Sequence, residues 1–401
     1  MERKLKLVVA STGLALLMGS RIASAEVALE PQGIQYGSFA FVPTLKTELG
    51  YDDNVYNFSD SEIGSFYLGV APNFTLLTQD RNNTYQLSYA LDGRTYSHKS
   101  DDSYLDQALG GSARIEPNAR LRLNGGVSYK MLHESRGTGR SSGYTMDQLE
   151  AMGEVDKYDV AGIDGGLEYG ALDARGMIVA ALGFAQKEYD RSKVAASRDN
   201  DQMTASLGLR VRVLPKTKMT FDLERVDTNY SGAAQDAVDD RYYVGVAWEN
   251  SAQTTGKLRL GKSKRDVSAG NSSSRLAWDA GVVWSPLARD TVSFITGRKT
   301  AEADDTQGTS VDTNASISWK HAWLDRLNTE LGFGKFKTEY INAKGANYRD
   351  DDSDKWRIAM NYQMRRWAVL HAGIDNSNRD STEAGFDSKR NIFTLGAMLS
   401  L

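Results

Sequence analysis

Apolar and polar residues alternate with a period of two along most of this chain. Leu45, Thr47, Leu49 and Tyr51 alternate with Lys46, Glu48 and Gly50. Leu121, Leu123, Val127, Tyr129 and Met131 alternate with Arg120, Arg122, Asn124, Ser128 and Lys130. Met203, Ala205, Leu207, Leu209, Val211 and Val213 do so with Thr204, Ser206, Gly208, Arg210 and Arg212. Tyr242, Val244, Val246 and Trp248 form one face of another run, and Trp356, Ile358, Met360 and Tyr362 one face of a further run. The last run places Phe393, Leu395, Ala397, Leu399 and Leu401 opposite Thr394, Gly396, Met398 and Ser400. Successive side chains of a strand point to opposite faces, so the pattern predicts strands with one apolar and one polar face.

The connections alternate as well. Short polar turns are expected at Gln79–Asn83, Glu116–Ala119, Ala171–Arg175, Leu214–Thr217, Glu249–Gln253, Ser285–Asp290, Ala322–Arg326 and Gln363–Arg366. Longer segments rich in Asp, Ser, Gly and Asn lie between them: Asp52–Gly64, His98–Ser103, Glu134–Thr145, Glu188–Gln202, Val226–Asp240, Asp266–Ser274, Arg298–Ser310, Lys337–Ser353 and Asn376–Ser388. Short periplasmic turns opposite long extracellular loops are the layout of outer-membrane barrels. The hairpins predict an all-β fold, a closed antiparallel transmembrane barrel of about 18 strands, give or take about two. A soluble β-sandwich of this length would divide into domains with linkers, and no linker, composition break or fixed-length repeat is seen.

Seven tryptophans bear on this frame. Trp248, Trp284, Trp319, Trp323 and Trp367 fall beside short turns, and Trp278 and Trp356 near the long-loop ends. Indole rings favour the bilayer interface, so they are expected to form an aromatic girdle. The polar face is expected to line a pore, because an Arg or Lys facing lipid near mid-bilayer costs about 2–4 kcal/mol. Its candidates are Lys46, Glu48, Arg120, Arg122, Asn124, Lys130, Arg210, Arg212, Asp222, Glu224, Lys257, Arg259, Asp279, Glu330, Arg357 and Asn361.

Beyond the alternating part, the N-terminus carries a targeting signal. Arg3, Lys4 and Lys6 precede a mostly apolar run, Leu7 to Met18, and Ala23-Ser24-Ala25 is a small-residue cleavage site. Residues 1–25 read as a signal peptide cut between Ala25 and Glu26, residues 26–40 as a short periplasmic leader, and residues 41–401 as the barrel. No later stretch approaches the roughly 20 apolar residues of a membrane helix. The formal net charge moves from −4 to −7 once Arg3, Lys4, Lys6 and Arg21 leave with Glu2. An acidic exported protein makes a poor nucleic-acid partner. The absence of Cys removes disulfides, thiolate metal sites and cysteine nucleophiles.

Candidate chemistry is sparse. His98, His133, His321 and His371 lack metal-ligand spacing. His133-Glu134-Ser135 is the one cluster that suggests a hydrolase, and chance explains it better. Asp52-Asp53-Asn54, and Asp350-Asp351-Asp352 with Asp354, could offer oxygen ligands, but neither forms an EF-hand loop and both read as solvated loops. Asn82-Asn83-Thr84 matches a glycosylation pattern by chance, at a turn. No enzyme activity, cofactor or metal is expected.

Several segments together resemble a known family. Phe41-Val42-Pro43 leads to Gly50-Tyr51-Asp52-Asp53-Asn54-Val55-Tyr56, and Tyr67-Leu68-Gly69-Val70-Ala71-Pro72-Asn73-Phe74 follows. Tyr85, Tyr89 and Tyr96 come next, then Glu134-Ser135-Arg136-Gly137. The chain resembles the outer-membrane β-barrel porin family associated with exopolysaccharide and capsule export gene clusters. The resemblance implies a conduit for exported polysaccharide that works with periplasmic export proteins in the outer membrane of a Gram-negative bacterium. A general or substrate-specific porin for small solutes is the alternative, and a hydrolase or structural barrel comes after it. Outer-membrane lipid and the barrel-assembly machinery are the remaining expected partners. That machinery reads a terminal Phe in many barrels, where this chain has Leu401.

Overall fold

The computed structural model describes residues 33–58, 61–190, 198–232, 235–251, 253–268, 271–303, 308–342 and 345–400. The expected signal peptide and its cleavage site at Ala25 and Glu26 lie outside the described residues, as does Leu401.

A short strand, β1 (Ile34–Tyr36), precedes eighteen long ones. These are β2 (Phe39–Asp52), β3 (Ser65–Asp80), β4 (Asn83–Tyr96), β5 (Tyr104–Asn118), β6 (Leu121–Glu134), β7 (Asp156–Tyr169), β8 (Gly176–Tyr189), β9 (Asn200–Leu214) and β10 (Thr217–Tyr230). They continue with β11 (Ala237–Ser251), β12 (Thr254–Val267), β13 (Asn271–Trp284), β14 (Asp290–Glu302), β15 (Thr309–Leu324), β16 (Leu327–Ile341), β17 (Asn347–Arg365), β18 (Ala368–Ser381) and β19 (Ser388–Ser400). Every neighbouring pair from β2 to β19 is antiparallel, and β19 pairs back onto β2 from Ser400↔Thr44 to Ile392↔Asp52. The sheet is therefore a closed barrel, the one sheet form that leaves no unpaired edge in hydrocarbon. β1 pairs with Phe39–Phe41 of β2, so part of the expected leader is strand and the wall begins at Phe39.

One face of each wall strand is apolar and exposed: Leu68, Leu87, Leu109, Val127, Ile163, Leu182, Leu207, Leu223, Val244, Leu260, Phe294, Ile317, Phe333, Ile358 and Leu395 represent it around the ring. An apolar belt of this extent requires a hydrocarbon surrounding. The opposite face is polar and encloses the lumen. A compact apolar cluster occurs at one end of that interior, formed by Val55, Tyr56, Tyr67, Tyr96 and Leu149.

Connections of two residues (81–82, 119–120, 215–216, 325–326 and 366–367) lie at the short-turn end. The strands run further at the other end than alternation indicates. β10 and β11 continue to Tyr230 and from Ala237, and β16 and β17 to Ile341 and from Asn347, through segments expected to be loops. A strand needs only about 9–11 residues to cross a bilayer. Beyond that band both faces meet water, so the ladder continues while the apolar alternation stops. The acidic run Asp350-Asp351-Asp352 is consequently strand, paired with Glu339, Thr338 and Lys337 of β16. The loop after β6 is longer than expected, 135–155, and contains a helix, α1 (Met146–Ala151). Thr145 caps α1 in a reciprocal capping box with Gln148, and Leu149 is its buried residue.

Candidate functional site

The lumen wall is a ladder of paired charges. Across β9 to β13, Arg210 reaches Asp222 at 2.6 Å, and Arg259 reaches Asp222, Glu224 and Asp279 at 3.3, 3.0 and 3.2 Å. Lys257 also binds Asp279 at 2.7 Å. Elsewhere Arg122 binds Glu168 at 2.8 Å, and Glu48 binds both Lys46 at 2.5 Å and His371 at 3.1 Å. Alternation on neighbouring strands turns these side chains to one face, and register sets them opposite one another. Tyr67, Tyr96, Tyr104, Tyr158, Tyr189 and Tyr243 add rings to the same face toward the loop end.

The first and last wall strands are clasped above their ladder. The Asp52 carboxylate is fully buried and accepts from the Arg390 guanidinium, including a 2.9 Å bond from Nε. Asp53 accepts from the backbone and side-chain amides of Asn391 at 2.6 Å each. The Asn54 amide donates to the carbonyls of Phe58 and Lys389 at 2.7 Å each. Gly50 lies where the Tyr67 ring occupies the space of a Cβ. The Gly50-Tyr51-Asp52-Asp53-Asn54 segment is thus a seam element, and Asp52-Asp53-Asn54 is not a solvated loop. Among the described residues no group of three or more His, Asp or Glu side chains could hold a metal ion.

Loop 135–155 is seated inside this end of the barrel. Leu149 packs with Val55, Tyr56, Tyr67 and Tyr96, beside Ile392 of β19. Arg136, 2% exposed, is its hub. Its Nε donates to Asp102 at 2.8 Å, its other nitrogens donate to the carbonyls of Leu149 and Gly153, and it lies 4.7 Å over the Tyr56 ring. Burial pushes the Asp102 carboxyl above its ordinary value, against the pull of Arg136. The pair therefore fixes position more than it adds net stability. Gly137 has φ 73° and passes against the Tyr56 carbonyl, which leaves no room for a side chain. Arg140 fastens the loop to Asp156 with two bonds of 2.8 and 2.9 Å.

A second intrusion is the upper part of β14. Its ladder with β13 ends at Trp278↔Arg298. Beyond it, the Thr300 hydroxyl lies 2.6 Å from that of Ser263 on the inner face of β12, and Thr300 N–H donates to Ser263 Oγ at 3.3 Å. β14 therefore parts from β13 and overlaps its inner side, while it stays laddered to β15 as far as Glu302↔Thr309. Lys299 then stands close enough to Asp239, Arg241, Glu224 and Asp312 to feel their charges.

Beneath loop 135–155 lies a cavity of about 450 Å³. Arg94, Tyr96, Tyr104, His133, Ser135, Arg136, Lys355, Arg357, Asp375, Asn376, Ser377 and Arg390 are among its lining residues. Arg94 lies 4.1 Å over the Tyr67 ring, and Arg357 binds Asp375 at 3.4 Å. His133 Nδ1 is 2.8 Å from Asp106 Oδ1, and its Nε2 is 3.4 Å from Ser135 Oγ. That order of carboxylate, imidazole and hydroxyl resembles a nucleophilic triad, with its last link at the limit of a hydrogen bond. The His133 ring is also stacked 3.7 Å from Tyr104, a contact that fixes it to the wall.

The expected pore residues mostly share the inner face. Lys46, Glu48, Arg122, Arg210, Asp222, Glu224, Lys257, Arg259, Asp279 and Arg357 enter ion pairs there. Asn361 donates to Asn328 at 3.2 Å, Arg212 donates to the Leu172 carbonyl, and Asn124, Lys130 and Glu330 occupy the same parity. Arg120 is the exception. It stands in the turn between β5 and β6, where its N–H donates to Asn118, because strand pairing ends at Asn118↔Leu121.

Of the tryptophans, Trp248 and Trp323 donate to Thr254 and Thr329 across short turns, and Trp319 to Asp290. Trp284 and Trp367 are exposed at the same end. Trp278 and Trp356 stand midway along β13 and β17, since those strands outrun the alternation. Sequence reasoning missed Arg94, Arg136, Lys355, Asp375 and Arg390. Parity in Leu91-Asp92-Gly93-Arg94 would have placed Arg94 inside, whereas Arg136, though part of the family segment Glu134-Ser135-Arg136-Gly137, lies in a loop where no periodicity gives its partners.

A family model described as "Putative beta-barrel porin 2" matches residues 27–401. No curated protein matches the sequence. Among solved structures, the FrpB iron transporter of Neisseria meningitidis (F5-1 variant) is similar at a TM-score of 0.50 and 11% identity, over 86% of this chain and 64% of that one. This chain thus spans just under two thirds of the transporter's length. OccK1 (OpdK) of Pseudomonas aeruginosa is similar at a TM-score of 0.50 and 9% identity, over 90% and 99%. OpdK crystallised with vanillate gives 0.50 and 10% identity over the same shares. At these identities the likeness is one of fold.

Proposed function

Since the chain belongs to the Putative beta-barrel porin 2 family, we propose that this outer-membrane pore is a conduit for an exported polysaccharide. The coarse function is that of a β-barrel porin. The polymer as cargo is our reading. The observation that carries it is the inner face, where the half-buried rings of Tyr104 and Tyr158 stand among paired charges. Pyranose units offer C–H faces to aromatic rings and hydroxyls to charged side chains, so such a face suits sugars without gripping them. Periplasmic export proteins would deliver the polymer, the barrel-assembly machinery would insert the wall, and the short-turn tryptophans would rest at the lipid interface.

Deletion of the gene tests the proposal. Surface polymer should disappear while polymer accumulates in the periplasm. Normal surface display would reject the polysaccharide reading.

One observation favours a second reading, a porin for small solutes. Loop 135–155 occupies the mouth and leaves a cavity of about 450 Å³, within the size range of small-molecule sites, about 300–1,000 Å³. Steady conductance in planar bilayers, together with normal polymer display in the deletion strain, would select that reading.

A further inference from the structure

We infer that the cavity beneath loop 135–155 is a binding station for an anionic sugar unit, a uronate, whose carboxylate meets Arg94 and Arg357. The sugar part of this inference rests on the polysaccharide reading, and the anionic part on the cavity alone. Five cationic side chains (Arg94, Arg136, Lys355, Arg357 and Arg390) face two carboxylates, Asp102 and Asp375, on the cavity wall. Counting Asp52 behind Arg390 and Asp106 behind His133 leaves four acids against five cations. Arg136 and Arg390 are tied to Asp102 and Asp52. Arg94 differs: its contacts are the Tyr67 and Tyr104 rings and the Tyr96 hydroxyl at 3.5 Å. Among the described residues no carboxylate stands within ion-pair distance of it.

A guanidinium held by rings keeps its charge and its N–H donors for a ligand, and a guanidinium fork matches a carboxylate. A cleft lined by an excess of one sign concentrates counter-ions of the other. Tyr96, Asn376 and Ser377 supply hydroxyl and amide groups on the same wall, the partners that sugar hydroxyls need. The chain as a whole is acidic, so this excess is local to the cavity.

The test uses the full-length mature protein in planar bilayers, with a glucuronate trisaccharide and a neutral glucose trisaccharide as probes. The acidic sugar should interrupt the current at a concentration at least about tenfold below the neutral one. Arg94→Gln and Arg357→Gln should each remove most of that difference and shift the reversal potential in a KCl gradient away from chloride. Should Arg94→Gln fail to give a folded barrel, Arg357→Gln and Lys355→Gln carry the same comparison. Equal block by both sugars, or an acid preference untouched by these variants, overturns the inference. Loss of surface polymer on gene deletion without acid preference would sink the cavity assignment alone. Arginine-dependent acid preference with normal polymer display would keep the anion site and sink the export reading.

Discussion

Asp52 shows how one side chain closes a cylinder. It ends β2, is fully buried, and takes the Arg390 guanidinium of β19 across the seam. Replacing it by Ala leaves Arg390 facing a buried gap without its counter-charge, and breaking such a pair costs about 3 kcal/mol. Asp52→Ala should therefore lower the urea midpoint of the barrel in lipid vesicles, while Asp52→Asn, which still accepts a hydrogen bond, should lower it less. Equal midpoints for all three proteins would remove the clasp from the account. The His133 ring, the one candidate for chemistry, is better understood as an anchor. The Nδ1 contact and the backbone N–H bond of His133 to Asp106, with the stack of its ring on Tyr104, hold the start of loop 135–155 against the wall.

At the scale of elements, the upper part of β14 departs most from a regular barrel. Its residues exchange ladder bonds with β13 for contact with Ser263 on β12. The two hydroxyls, 2.6 Å apart, bring their Cβ atoms near the span of a disulfide. The chain has no Cys of its own, so Ser263→Cys with Thr300→Cys gives an unambiguous cross-link. Mild oxidation should form it quantitatively, with a faster-migrating band on non-reducing gels. Free thiols after oxidation would mean that β14 does not part from β13 to meet β12. If the leaning strand also narrows the passage, reduction of the bridge should raise single-channel conductance.

For the whole molecule, the two faces are set by what each one meets. Ser206 and Leu207 are neighbours on β9 but face opposite solvents, Ser206 opposite Glu224 and Leu207 opposite Leu223. Leu207→Arg should destabilise the folded barrel by about 2–4 kcal/mol, read as a lower urea midpoint or failed insertion. Ser206→Arg should be tolerated, since its charge falls beside Glu224 in the lumen. Matching effects of the two substitutions would contradict the assigned faces. This face assignment was legible in the sequence, because a lipid-facing residue must be apolar wherever it stands. The same rule explains the limits of the reading. Where both faces are wet, as in Asn347–Ser353 of β17, strand and loop look alike.

The sequence by itself determined the closed barrel, the approximate number of strands, the side of the wall taken by most residues of the alternating runs, and the alternation of short turns with long loops. Each of these is written locally, as a period of two interrupted by turn residues. Only the tertiary structure decided the clasp of Asp52 on Arg390, the seating of Leu149 among Tyr67 and Tyr96, the lean of β14 and the basic cavity beneath loop 135–155. The Asp52–Arg390 contact joins residues 338 positions apart. Polar and loop residues carry no periodicity to announce such partners, so their meeting depends on how the cylinder closes.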